Sequence, residues 1–264
     1  MKHLERAFSL LIAVLMVTAS FIPAVSAIES ENNVSGAVVA TDDAADVTAL
    51  TSGIAILFVD DSGGADFTTI RAAVNAARDG DRIVVKAGSY NENVVVNKSV
   101  SLVSEAGAGA TTVTASSSNS PVFRVDADNV TISGFCISGS TTAGAIDLPY
   151  MLAGNCTVVD NVITGNRVGI WCSSSHAVLT GNTITSNSNG GIWLVGARAA
   201  TVDGNIIDSN EGEGGVYIDC IYDAVIRNNV ISNNSQILFL EDYGDDSNVI
   251  YLNTFANIVY ANTL

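Results

Sequence analysis

Basic side chains are scarce in this chain: 11 lysines and arginines stand against 27 aspartates and glutamates, a formal net charge of -16 over 264 residues. That balance repels a phosphate backbone or an anionic lipid surface over most of the molecule, so no nucleic-acid partner is expected and electrostatic membrane docking is unfavourable. Histidine is nearly absent (His3 and His176), and methionine and proline occur three times each. A chain so poor in imidazole and lysine holds few groups for acid/base chemistry. Four cysteines (Cys136, Cys156, Cys172 and Cys220) are too widely spaced for a disulfide framework, and none forms a Cys-x-x-Cys or Cys/His pair of zinc-like spacing. They are expected to be buried thiols.

What is present begins with an export signal. Lys2 and Arg6 precede the apolar stretch Phe8–Val17, and Val25-Ser26-Ala27 forms a small-residue cleavage site. The stretch is short for a bilayer span and no second one follows, so the mature chain is expected to lack a membrane anchor and to be secreted or held at the cell surface. Residues 28–52 are small, acidic and unpatterned and read as a flexible leader, which leaves 53–264 as the folded domain. Five Asn-x-Ser/Thr sequons, beginning at Asn33, Asn97, Asn129, Asn155 and Asn233, suit an exported chain.

Ile70, Ala73, Val74 and Ala77 fall at helical spacing, and Asp79-Gly80-Asp81 stops the run. One short helix is predicted there, with Asp66 or Thr68 near its N-cap. The remainder reads as short β-branched strands cut by Gly, Asn and Ser, and it repeats. Val130-Thr131-Ile132 aligns with Cys156-Thr157-Val158, Ala177-Val178-Leu179, Ala200-Thr201-Val202, Ala224-Val225-Ile226 and Asn248-Val249-Ile250, in steps of 26, 21, 23, 24 and 24 residues. A second run, centred on Ile137, Ile163, Ile184, Ile207, Ile231 and Phe255, keeps those steps. A third comprises Phe123-Arg124-Val125, Ile146-Asp147-Leu148, Ile170-Trp171-Cys172, Ile192-Trp193-Leu194, Val216-Tyr217-Ile218 and Leu238-Phe239-Leu240.

Three short strands in about 23 residues bury almost nothing until another layer stacks on them. The period therefore predicts an all-β, right-handed parallel β-helix with three strands per coil and about eight coils, six of them well registered, closed at its N-terminus by the short helix. Strand alternation turns the outer members of each triplet inward, giving an aliphatic column from Ile132 to Ile250. The middle members (Thr131, Thr157, Val178, Thr201, Val225 and Val249) face out. Asn161, Asn182, Asn205, Asn229 and Asn253 recur at the turn before the second strand, where Asn tolerates left-handed backbone and its amide can bond its counterpart one coil away.

With these features the chain, from about Phe58 to Leu264, resembles the right-handed parallel β-helix proteins of the pectin-lyase-like superfamily, particularly the NosD-like group with its Asn-x-Ile-x-x-Asn repeats. Val59–Ile70, Gly80-Asp81-Arg82-Ile83 and Ala87-Gly88-Ser89-Tyr90 look like the family's capping helix and first coil. The resemblance implies the fold and not a reaction, because esterases, lyases, epimerases and non-catalytic surface proteins share it. It also implies an exported chain of the sort common among archaeal surface proteins. NosD relatives are linked to copper handling, yet copper prefers imidazole and thioether ligands, and only His176 and Met151 remain after signal removal. No copper and no other cofactor is expected.

Signatures of the superfamily's enzymes are missing: neither a Gly-x-x-Asp-Phe-x-Phe-Gly segment nor a downstream His-Gly with Arg-x-Lys occurs after the cap. The nearest approach to an acid pair is Asp160 and Asp203, with Arg227 one coil beyond Asp203, an arrangement better explained as an exposed ion pair than as a catalytic set. His176 shares its turn position with Asn129, Asn155, Ala199 and Asp223 and reads as an exposed corner residue. Trp171, Trp193, Tyr217 and Phe239 follow Arg124 and Asp147 on the outward column of the third strand and predict a flat aromatic stripe. Such a stripe suits sugar stacking, or packing on a neighbouring envelope protein. Glu241, Asp242, Asp245 and Asp246 form an acidic turn that offers oxygen ligands for calcium. The sequence thus points to a non-catalytic surface protein that meets a glycan, the alternative being a polysaccharide lyase or hydrolase.

Overall fold

The structure, a computed structural model, describes residues 53–256 apart from 237 and 241–247. The expected signal and leader, and the acidic turn Glu241–Asp246, lie outside the described residues. The order of the strands turns the repeat into a solenoid. One sheet of nine strands runs from Ile56–Val59 to Val249–Tyr251, a second of eight from Gly88–Asn91 to Thr254–Ala256, and a third of seven from Val94–Val96 to Leu238–Leu240. Every pairing is parallel, and each strand's neighbours are its counterparts one coil before and after, so about eight turns stack upon one another. The first-sheet register is Ile132, Val158, Leu179, Val202, Ile226, Ile250, the column that the period predicts.

Alternation gives this register its physical sense. Ile132, Val158, Leu179, Val202 and Ile226 are buried, as are Ile137, Ile163, Ile184, Ile207 and Ile231 of the second sheet and Ile146, Ile170, Ile192 and Val216 of the third. They form a single aliphatic core, each side chain stabilising by about 1.5–3 kcal/mol relative to exposure. In the last described strands of their sheets, Ile250 is 39% exposed and Phe255 44%.

At the other end the helix Ile70–Ala76 packs Ile70, Ala73 and Val74 into the core. Its N-cap is Thr69, whose hydroxyl accepts from the Ala72 N–H at 3.2 Å; neither Asp66 nor Thr68 has that role. Asp66 instead accepts from the Phe58 N–H at 2.8 Å and pins the first strand. The buried Glu92 carboxylate accepts from the Ile70 and Arg71 N–H groups at 2.8 and 3.0 Å, so the first coil satisfies the helix terminus from outside.

Two asparagine ladders line the corners flanking the second sheet. Asn161, Asn182, Asn205, Asn229 and Asn253 are linked amide to amide at 2.9–3.1 Å, and each Nδ2 also donates to a main-chain carbonyl, as Asn205 does to Leu179. The left-handed conformation expected of these asparagines belongs to the residue before each: Asp160, Gly181, Gly204, Asn228 and Leu252 have positive φ, and the ladder residues do not. The turn is thereby made by one residue and its polar groups are satisfied by the next. Asn166, Asn187, Asn210 and Asn234 form a second ladder five residues on, with amide contacts of 2.9–3.2 Å.

Candidate functional site

The third sheet carries an outward column rich in aromatic rings. Arg124, Asp147, Trp171, Trp193, Tyr217 and Phe239 are in register, as the sequence predicts. The rings do not form a flat stripe. Trp171 and Trp193 are tilted by 56° with centroids 4.9 Å apart, and Trp193 and Tyr217 by 44° at 5.2 Å. All three are half-buried, because a coil spacing near 4.8 Å leaves tilted rings in contact with one another. The guanidinium of Arg167 stands over Trp193 at 5.2 Å, and the Trp193 indole N–H, buried and without an acceptor, points at the backbone of Gly190.

What opens to solvent is a groove beside the column, in two parts. One depression of about 400 Å³ includes Arg124, Asp147, Tyr150, Arg167 and Trp171 in its lining, and the other, of about 650 Å³, includes Tyr150, Val195, Arg198, Cys220 and Tyr222. Tyr150 and Ser173 line both, so the two depressions adjoin at these residues. Of the predicted aromatic candidates Trp171 alone is in the lining. Trp193 and Tyr217 support it from the next coils, and the Phe239 side chain lies outside the described residues.

Charge in the groove is arranged around Arg124, whose Nε donates to Asp126 at 2.9 Å and whose terminal nitrogen lies 3.3 Å from Asp147. Burial raises the Asp147 pKa above the ordinary carboxylate range; Arg124 counteracts this and Asp126 reinforces it. Arg198 lies over the Tyr222 ring at 5.5 Å, just as Arg167 covers Trp193. Arg198 and Tyr222 keep the repeat, bridged in register with Ser175 at steps of 23 and 24 residues beside the His176, Ala199 and Asp223 corner column, and Arg167 follows Asn166 of the second ladder; Tyr150 lies outside these columns. One signal was available: eight residues, 149–156, separate the strand Gly144–Leu148 from Thr157–Val159, against five, 173–177, in the next coil. The extra residues hold Tyr150, which is 60% exposed.

The other predicted groups are not brought together. Asp203 pairs in register with Arg227, which donates to it at 2.9 Å and to the Tyr251 hydroxyl at 3.0 Å. A hydrogen bond from Asn228 at 2.8 Å, reinforced by Arg227, holds the Asp203 pKa below the usual range, so this carboxyl stays ionised. Asp160 belongs to a different column: the register partners of Asp203 are Thr180 and, one coil further, Val159. The three residues form an exposed ion pair and a separate corner residue, and none lines the groove. His176 is an exposed left-handed corner in line with Asn129, Asn155, Ala199 and Asp223. The cysteines form no disulfide; Cys156 and Cys172 are buried as expected, Cys136 is partly buried, and Cys220 is exposed at the groove.

Comparison with known proteins places this architecture. A family described as periplasmic copper-binding protein (NosD) matches residues 74–263. The chain belongs to the NosD family. A cell surface glycoprotein of Methanothermus fervidus is 35% identical over 107 residues, 40% of this chain, and the match spans 17% of that relative's length. Among solved structures, pectin methylesterase from carrot aligns at 14% identity and TM-score 0.47, covering 79% of this chain and 88% of that one. The catalytic domain of Agl-KA aligns at 13% identity and TM-score 0.48, covering 71% and 50%.

The donor set of this NosD-family chain does not fit the copper of the family's description. His176 and Met151 are the sole imidazole and thioether among the described residues, one on an exposed corner and the other 83% exposed in the loop after Leu148. Burial raises the Cys156 pKa and pushes that of Cys172 up to about 11, which keeps both as thiols. Among the described residues, no three His, Cys, Asp or Glu converge where they could hold a metal.

Proposed function

We propose that this NosD-family chain is a β-helix module displayed outside the cell that holds an extended polysaccharide along its third sheet without reacting with it. The observation that carries the reading is the groove itself, a long depression with the exposed Tyr150 at its middle and Trp171 and Tyr222 in its walls. Aromatic faces supply apolar contact to the faces of pyranose rings, and the polar rim of Ser173 and Ser175 supplies hydrogen bonds. The acidic balance and the likeness to a surface glycoprotein support an extracellular setting. Replacing Tyr150 and Trp171 together by alanine is expected to abolish retention on immobilised glycans while the circular dichroism spectrum stays that of the parent. Undiminished retention would remove the groove from the reading. If the parent binds no glycan and instead crosslinks to an envelope protein, the module is structural.

A second reading, a polysaccharide-modifying enzyme, is favoured by one observation: Asp147, a carboxyl held toward its neutral form, lines the groove beside Trp171. Release of reducing or unsaturated ends that Asp147→Asn abolishes would establish it.

A further inference from the structure

Resting on the glycan-binding reading, we infer that the groove selects polysaccharides bearing anionic groups, which Arg167 and Arg198 engage. The sequence predicts ring faces as the recognition surface, but the structure covers the Trp193 face with Arg167 and sets Arg198 over Tyr222. A guanidinium resting on an aromatic ring keeps its edge free to donate in parallel to a carboxylate or sulfate, with its side chain already ordered by the ring.

Charge accounting points the same way. The chain is strongly acidic, yet the residues lining the two depressions include three arginines (Arg124, Arg167 and Arg198) and a single carboxylate, Asp147. That carboxylate is engaged by Arg124, as is Asp126. Among the described residues neither Arg167 nor Arg198 forms an ion pair, although Asp203 and Asp60 pair with Arg227 and Lys86 elsewhere on the surface. Among the described residues, then, the lining of the two depressions carries more guanidiniums than carboxylates, a local sign opposite to that of the molecule. The two arginines belong to different depressions on either side of Tyr150, so a polymer with repeated anionic groups can meet both while its rings contact Tyr150.

The shared ligand chemistry is a linear glycan carrying carboxylates or sulfates, and affinity electrophoresis of the full chain distinguishes the two. The probes are polygalacturonate and alginate for carboxylate, chondroitin sulfate for a polymer that also carries sulfate, and galactomannan as the neutral control. At least one anionic polymer is expected to bind about tenfold or more tightly than galactomannan, with affinity falling as salt rises. Arg167→Gln and Arg198→Gln should each weaken that binding by about tenfold, the size of one charge-assisted hydrogen bond, and should flatten its salt dependence. Arg167→Lys should retain the salt dependence and lose part of the affinity. Equal binding of galactomannan, or glutamine variants that bind as the parent does, would overturn the inference while leaving glycan binding intact. Failure of all four probes to bind would overturn both readings.

Discussion

Asn205 offers the sharpest test of what holds the coils together. Its Oδ1 accepts from the Asn182 N–H and the Asn182 amide, each at 3.0 Å, and its Nδ2 donates to Leu179 O at 2.8 Å and to Asn229 Oδ1 at 2.9 Å. Asn205→Ala removes all four in a site closed to water. The Asn182 N–H loses its acceptor and Leu179 O its amide donor, and a buried orphan costs about 1–3 kcal/mol. A loss of about 3 kcal/mol is therefore expected, and with a urea slope of about 2 kcal/mol/M the midpoint should fall by about 1.5 M. Fluorescence of Trp171 and Trp193, in the two coils before Asn205, reports the transition locally, which matters because repeat arrays need not unfold all at once. Asn253→Ala, half-buried at the end of the described ladder, should cost under about 1 kcal/mol because water can replace the lost amide. A midpoint for Asn205→Ala within about 0.3 M of the parent, or equal to that of Asn253→Ala, would show that the ladder is decoration on a core that stands without it.

Other expectations follow from the same contacts. A Cβ at Gly191 would lie 2.5 Å from Gly215 O and 2.7 Å from Ile207 Cγ2, so Gly191→Ala should destabilise by about 1–3 kcal/mol in thermal melts. Alkylation at pH 8 should label Cys220 and spare Cys172 in the folded chain, since Cys220 is exposed and the Cys172 pKa is pushed up to about 11; labelling of Cys172 at the rate of Cys220 would contradict its burial. The Asp81 carboxylate accepts from the Arg78 and Ala55 N–H groups, which lowers its pKa. Its contribution is complete at neutral pH and is lost as pH falls through that lowered value, so acid titration of Asp81→Asn should show a flatter stability profile below about pH 4.

The sequence made the winding legible because each coil obeys the same local rule. An inward aliphatic at Ile132 requires one at Val158 and at Leu179, and a 21- to 26-residue period cannot be mistaken for hairpins once three strands share it. The asparagine ladder was half legible. Its amide contacts follow from residue type, and the positive φ of the preceding residue could have been read from Asp160, Gly181, Gly204 and Asn228, types that favour the left-handed region, whereas Leu252 gives no such signal. The groove was least legible. Trp171 belongs to the repeat and could be placed, and Arg198 and Tyr222 share a corner column with Ser175 in five-residue connections, but nothing in the period marks that corner as a groove, and Tyr150 lies in the longer connection 149–156. Ring tilt was likewise out of reach, because it follows from the coil spacing and from the Trp193 indole lying against Gly190, where an added Cβ would sit 2.5 Å from Nε1.

A stacked repeat presents nearly the same face at every turn, so a particular ligand can be recognised only where the repetition is broken. In this chain the break is local. The longer connection 149–156 holds the exposed Tyr150 at the groove, and the corner column that is Ser175 in one coil becomes Arg198 and then Tyr222 in the next two. The ladders line the corners of the second sheet and the aliphatic column fills the core, and neither contributes to the lining of the groove. Recognition and stability should therefore separate by mutation. Arg167→Gln, Arg198→Gln and Tyr150→Ala remove exposed or half-buried groups and are expected to change stability by no more than the ~0.5 kcal/mol typical of surface substitutions, about 0.25 M in urea midpoint. Asn205→Ala should lower the midpoint and leave glycan affinity unchanged at urea concentrations where its coils remain wound. If the groove variants instead unfold as readily as Asn205→Ala, the arginines and Tyr150 are part of the coil packing, and the site must lie on another face of the solenoid.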